Sequence, residues 1–390
     1  MLAEISRLDL QELSTSSGAS ITDVKHLSSY NWLEAPTPTI AVPGSPPLWA
    51  PPRVPRQLKK DSGLFYIAQN SARHPDSPLE PLFRALYLTN PSFDIHSIHV
   101  VTDRNNIRKL LSFIDPRSAR GGLEAFTINI EVVKNTVIFC LSDTVTHEYI
   151  EPREFRGFGH EFEKVYTANQ ISLSTGHHRI ISYRFSDLTF LVRHETDGYV
   201  HAGIDTNKPR GSEEPEPEND NLPSFLESLS LSSTKAPSKI TPAGKSKLTV
   251  IEQGKAVPLE STIEIKTRVS HRLLVMDEIV PQLWVSQTPK LVRAYHTKGT
   301  FQRPEVEDMA GEIRIWEAGN QSNLKKLAAL IHTIIDVVKG CGGHAVVNYD
   351  IKGDKLVVLQ VEGRRMLPED FKVAWRDTLC GKTNEGYFNF

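Results

Sequence analysis

Two short segments, LVRHETDGYV (191–200) and STIEIKTR (261–268), constrain this chain more than any other feature. Each is largely apolar or β-branched and carries charged groups two positions apart. The first has Glu195 and Asp197, the second Glu264 and Lys266. Residues i and i+2 of a β-strand point to one face. Read as strands, the segments each project two charges from one side of an otherwise apolar element. Three carboxylates and a lysine suit a hard divalent cation, which takes carboxylate and water oxygens and neutralises charge on a phosphate. A lysine beside such an ion can orient the attacking water or stabilise a developing oxyanion. Either pair alone equally suits a solvated strand face or a surface ion pair.

Around these segments, helical and strand patterns alternate. Helices are predicted over 77–88 with Ser77 as cap, over 103–114 opened by Asp103, near 275–287, over 323–338 and near 368–378. Strands are predicted over 95–101, 125–133, 136–142, 178–185, 188–197 and 291–297, with a hairpin over 345–362 turning at Gly353-Asp354. This alternation predicts an α/β or α+β fold, a mixed central sheet flanked by helices with a further hairpin region.

Residues 34–56 hold eight prolines: Pro36, Pro38, Pro43, Pro46, Pro47, Pro51, Pro52 and Pro55. Proline cannot continue a helix and gives no ladder donor, so 1–60 is expected as an extended arm pinned to the surface by Trp32, Trp49, Ile40 and Val42. Residues 61–390 then form one domain. It is interrupted at about 205–247 by a stretch rich in Pro, Glu, Ser and Lys, which predicts a disordered insertion. Within it, Leu222, Phe225, Leu226 and Leu229 fall at helical spacing that suits a docking helix or a leucine-rich export signal.

Composition narrows the class. With 39% hydrophobic residues in 390, a large core is available. The formal net charge of -2 conceals a segregation. Six acidic residues and no Lys or Arg lie in 211–230, so the remainder is mildly basic and fits an anionic substrate. Cys140, Cys341 and Cys380 lack CxxC spacing, which argues against a zinc site or a disulfide framework. The opening MLAEISRLDL lacks the pattern of a secretory signal, and LAALIHTIIDVV (327–338) is too short and interrupted for a membrane span. A nuclear or cytoplasmic protein without membrane contact is expected. No Walker-type glycine loop indicates ATP use.

The order E-x-D, E-x-K, helix, strand resembles the PD-(D/E)xK nuclease core. Within that superfamily the chain resembles the eukaryotic decapping and 5′-end exoribonuclease family, which includes the partner protein of the nuclear 5′–3′ exoribonuclease. Five stretches carry the likeness. VTDRNNIRKLL (101–111) is similar to its first motif, an Arg leading into a helix. FGHEFEKVY (158–166) is similar to its G-Φ-x-Φ-E motif. ETD, EIK and LWVSQ (283–287) follow in the family's order. The resemblance implies metal ligands Glu163, Glu195, Asp197 and Glu264 for Mg²⁺ or Mn²⁺. It implies Lys266 and Gln287 beside the nucleophile and Arg104 on the substrate backbone. It implies removal of RNA 5′ caps, NAD caps or pyrophosphate, or 5′–3′ degradation, with a 5′–3′ exoribonuclease as a partner. The chain departs from the pattern at His160 and Glu161, after Arg104, and in the long connection between Asp197 and Glu264.

Arg268 at the end of the E-x-K strand, with Lys290 and Arg293 after the helix that follows it, could track phosphates, or form an ordinary charged surface. Tyr183, Phe185, Tyr295 and Phe301 suit core packing better than base stacking. Two further functions compete with the hydrolase: a catalytically silent RNA-binding adaptor of the same fold, and a single-stranded DNA exonuclease.

Overall fold

The computed structural model describes residues 1–12, 18–118, 122–201, 239–240, 246–362, 366–368, 370–371 and 375. In chain order the main strands are β1 (Ala3–Ser6), β2 (Ile21–Leu33), β3 (Thr39–Gly44), β4 (Val100–Asp103), β5 (Phe126–Val133), β6 (Thr136–Leu141) and β7 (Ser174–Phe185). They continue as β8 (Leu188–Glu195), β9 (Lys239–Ile240), β10 (Thr249–Gly254), β11 (Thr262–Val269), β12 (Lys290–Thr297), β13 (His344–Asp350) and β14 (Lys355–Gln360). The main helices are α1 (Glu80–Thr89), α2 (Arg104–Ile114), α3 (Gly159–Tyr166), α4 (Met276–Ser286) and α5 (Gln321–Gly340).

Alternation of apolar residues builds one wing of the main sheet. β5 buries Phe126, Ile128 and Ile130, β13 buries Ala345, Val347 and Tyr349, and β14 buries Leu356 and Val358, all against α2 and α5. β8 instead reads as a nearly continuous apolar run because both its faces are covered. Phe190 and Val192 join the α2/α5 core, while Leu191 joins a second core with α1. α5 alone buries Leu324, Leu327, Leu330, Ile331, Ile334 and Val338, each contributing roughly 1.5–3 kcal/mol of transfer free energy.

The result is a mixed sheet of twelve strands in the order β1-β14-β13-β5-β6-β4-β8-β7-β2-β3-β10-β9. β4 runs parallel to β6 and β8, and β10 parallel to β3; the other neighbours are antiparallel. A second sheet holds β11 and β12 as a parallel pair, with Gly198–Tyr199 beside β11. The chain steps from the first sheet to the second at Glu195-Thr196-Asp197-Gly198. This is the α+β architecture expected, with mixed sheets flanked by helices. Among the described residues no helix is long and apolar enough to cross a membrane.

Three local expectations are corrected. The stretch expected as an extended surface arm supplies β2 and β3 of the main sheet, with Trp32, Ile40 and Val42 buried. The prolines permit this because Thr39 to Val42 is proline-free, and Pro43 lies past the β2–β3 ladder, which ends at Ala41. The predicted strand 95–101 is a 3₁₀ turn at Ile95–Ser97 followed by β4. The helix over 77–88 starts at Glu80, and the Ser77 hydroxyl donates to the Met366 carbonyl instead of capping it. Most of 205–247, including Leu222, Phe225, Leu226 and Leu229, lies outside the described residues, as does most of 368–378.

Candidate active site

The seam between the two sheets gathers the charged residues. β8 ends at Glu195, and the chain turns so that Asp197 faces β11. Gly198 allows the turn, since a Cβ there would stand 2.9 Å from the Pro47 carbonyl oxygen. Asp197 Oδ2 accepts a hydrogen bond from the Ile265 amide at 2.7 Å, between Glu264 and Lys266 on β11. By strand alternation Glu264, Lys266 and Arg268 share one face. Ile263 and Ile265 fill the core on the other, with Phe162 of α3. Glu163, the residue after Phe162, lies close enough to the cluster to be influenced by Asp197, Glu195, Lys266 and Glu264.

Glu264 is the most engaged member. Lys266 Nζ donates to its Oε1 at 2.5 Å and Arg104 Nη1 to its Oε2 at 3.1 Å, and Gln282 Nε2 also donates to Oε1. Burial pushes its pKa up, but Lys266 and Arg104 overcome this and hold it at about 2. Burial opposes the charge on Lys266 too, yet Glu264 and Asp197 raise its pKa.

The other three carboxylates go the opposite way. Burial, then Glu264, pushes Asp197 up to about 7. Burial, then Asp197 and Glu195, raises Glu163 well above its ordinary value. Glu195 opens to solvent in the cleft, but protein crowds it closely enough to raise its pKa by desolvation, against the pull of Arg104. Four carboxylates face two cations, so full ionisation leaves two negative charges without a counter-charge. A divalent cation fits this donor set in charge and in hard oxygen chemistry. Among the described residues no three His, Cys, Asp or Glu side chains stand close enough to ligate one ion in their present orientation. Glu264 accepts three hydrogen bonds, which leaves one of the roughly four lone-pair sites of a carboxylate for a cation.

Glu195 also lines a cleft with Gln69, Asn70, Asp103, Arg104 and His178. His178 stacks on Tyr30 at 5.1 Å, and burial holds His177, His178 and His194 well below the ordinary histidine value, so they are neutral.

Of the residues singled out in the sequence, the fold brings together Glu163, Glu195, Asp197, Glu264, Lys266 and Arg104. Gln287 is a correction. It ends α4 in the left-handed region at φ 52°, and its amide donates to the Trp284 carbonyl. Gln282, buried in α4, reaches Glu264 in its place. Pro289, two residues beyond Gln287, was the available signal that the helix ends there. Lys290 pairs with Ile263 and so lies on the face of β12 away from Glu264. Arg293 shares the site's face but is bound to Glu307, with Nε to Oε1 at 2.7 Å. Arg268 is exposed on the site's face, beyond Lys266. Tyr183, Phe185 and Phe301 are core residues.

The family model described as Domain of unknown function (DUF8563) matches residues 5–374. The chain belongs to that family. No curated protein sequence matches it. Solved structures show where its fold recurs. Candida albicans Rai1 in complex with pU5-Mn²⁺ superposes with a TM-score of 0.59 at 11% identity, over 97% of this chain and 100% of that one. Scheffersomyces stipitis Rai1 with (3′-NADP)⁺ and a calcium ion gives 0.58 at 13%, over 95% and 98%. K. lactis Dxo1 in complex with manganese gives 0.50 at 9%, over 94% and 99%. This chain shares the Rai1/Dxo1 fold, in keeping with the resemblance in its motifs.

Proposed function

We propose that this chain hydrolyses phosphodiester or pyrophosphate bonds at RNA 5′ ends with the help of Mg²⁺ or Mn²⁺. The observation that carries the reading is the meeting of Glu163, Glu195, Asp197 and Glu264 with Lys266 and Arg104 at one seam. The pKa values of Glu163, Asp197 and Glu195 are raised by burial first and then, for Glu163 and Asp197, by neighbouring carboxylates, which supports a cation as their partner. Neighbours of the same fold hold pU5 with Mn²⁺, or (3′-NADP)⁺ with calcium, which supports an RNA or nucleotide end as substrate.

In this reading the four carboxylates hold the cation, which would supply charge neutralisation and activate water. Arg104, at the N-terminus of α2, holds a substrate phosphate with help from the helix dipole. Lys266, kept protonated by its acidic neighbours, donates to the attacking water or to a phosphoryl oxygen. Gln282, and not Gln287, donates to the cluster and keeps Glu264 oriented. A 5′–3′ exoribonuclease is the proposed protein partner.

The deciding experiment incubates purified protein with 5′-labelled RNAs bearing triphosphate, monophosphate, unmethylated cap or NAD ends, and with matched single-stranded DNA. Each is run with Mn²⁺ and with EDTA. Product that requires metal and disappears in Glu264→Ala is expected, and the favoured end names the substrate. Binding of RNA without product on any end would overturn the hydrolase in favour of a silent adaptor. Preference for DNA would make it a DNA exonuclease.

A further inference from the structure

Asp103 occupies the cap position of α2 by backbone geometry, yet its side chain makes no capping hydrogen bond. An aspartate there ordinarily accepts from the second or third helical amide. Instead both its oxygens go to Arg193, with Nε to Oδ1 at 2.6 Å and Nη2 to Oδ2 at 2.9 Å. The two residues are register partners on the parallel strands β4 and β8. Arg193 is 3% exposed, and its remaining nitrogen Nη1 donates to the Pro78 carbonyl at 2.7 Å and to Tyr30 Oη at 3.3 Å. The guanidinium is therefore fixed on every side. A two-bond fork of this kind sets orientation as well as distance, and a lysine could not reproduce it.

What the fork joins is informative. Arg104 follows Asp103 directly, and Glu195 lies two residues after Arg193 on the same strand face. Arg104 in turn reaches Glu264 at 3.1 Å. We infer that Asp103 and Arg193 are positioning residues, a fork anchored on the buried Arg193 that fixes Arg104 relative to the carboxylates of β8 and β11. The fork has a second effect at the cleft. Asp103 lines it beside Arg104, and an unneutralised carboxylate there would repel a phosphate. Arg193, which lines the same cleft, cancels that charge.

The inference rests on the hydrolase reading for its kinetic consequences but not for its geometry, so the test has two arms. In the kinetic arm, Asp103→Asn is compared in wild-type and Arg104→Ala backgrounds with Mn²⁺ and 5′-phosphorylated RNA, well below the unfolding midpoint. Asp103→Asn should lower kcat/KM by about ten- to a hundredfold, mostly through KM. It should change kcat/KM by less than about twofold once Arg104 is gone. The same loss in both backgrounds would mean a merely structural role and overturn the inference. In the structural arm, a crystal structure of Asp103→Asn should show Arg104 displaced from Glu264. Arg104 still at its wild-type distance would overturn the inference whether or not the enzyme turns over. Absence of wild-type turnover would count against the hydrolase reading alone. If Asp103→Asn does not fold, Asp103→Asn/Arg193→Gln, which removes both charges together, carries the same two arms.

Discussion

The two halves of the acidic seam share a chemistry and differ in charge balance. On the β11 side, Glu264 sits between Lys266, Arg104 and Gln282 and is held ionised at about 2. On the β8 and α3 side, Asp197 and Glu163 are pushed up by burial and by neighbouring carboxylates, and Glu195 by crowding. One half is neutralised by the protein itself. The other is left short of positive charge, and a proton or a bound cation must complete it. A cluster of like charges partly withdrawn from water is costly unless paired, so its presence at a sheet-to-sheet seam marks a candidate ligand site.

The sharpest way to break this comparison is to remove one carboxylate from each half. Asp197→Ala and Glu264→Ala should each lower metal-dependent turnover by at least about 10³-fold with the fold retained, as read by circular dichroism beside the RNA assay. Comparable activity in either would dissolve the distinction. Next in size is the glutamine exchange. Gln282→Ala should cost about ten- to a hundredfold by freeing Glu264, whereas Gln287→Ala should stay within about twofold in steady-state assays. A third effect is metal-linked stability. Mn²⁺ at a hundredfold excess over Kd should add about 2.7 kcal/mol, seen as a rise in unfolding midpoint. Asp197→Asn should shrink that rise.

The smallest effect is a pH dependence of the metal-free protein. Asp197 has a folded pKa of about 7 against an ordinary 3.8, so the folded state holds a proton that the unfolded state releases. Stability should therefore fall as pH rises from about 4 to about 7. Denaturant melts across that range, with and without Asp197→Asn, check the sign. A wild-type slope unchanged by the substitution would remove Asp197 as its source.

Much of the site was legible before the fold was known, because it obeys short-range rules. Glu195 with Asp197 and Glu264 with Lys266 were visible from a two-residue period. Arg104 and Glu163 were reached only through the resemblance of their motifs to the family's. The turn at Asp354, with positive φ, was marked by the polar Gly353-Asp354 break between apolar runs. Gln282 was missed because Pro289 marks the end of the helix at Gln287 but does not say which residue of the helix faces β11. Only the packing of α4 over β11 decides which amide meets Glu264. β3 was missed because the density of prolines over 34–56 outweighed the proline-free run Thr39 to Val42, although the ladder with β10 continues through Pro43 to Gly44.

By itself, the chain's order of residues determined the strand and helix periods, the charged pairs on single strand faces and the mixed α+β class. These follow from side-chain direction along a local backbone. Tertiary structure decided the rest: that Glu163 from α3 joins carboxylates far along the chain, that the Asp103 carboxylate serves Arg193 and not its own helix, and that Lys290 faces away. These depend on which elements pack together, and packing is set by the shape and burial of whole faces, which no window of neighbouring residues contains.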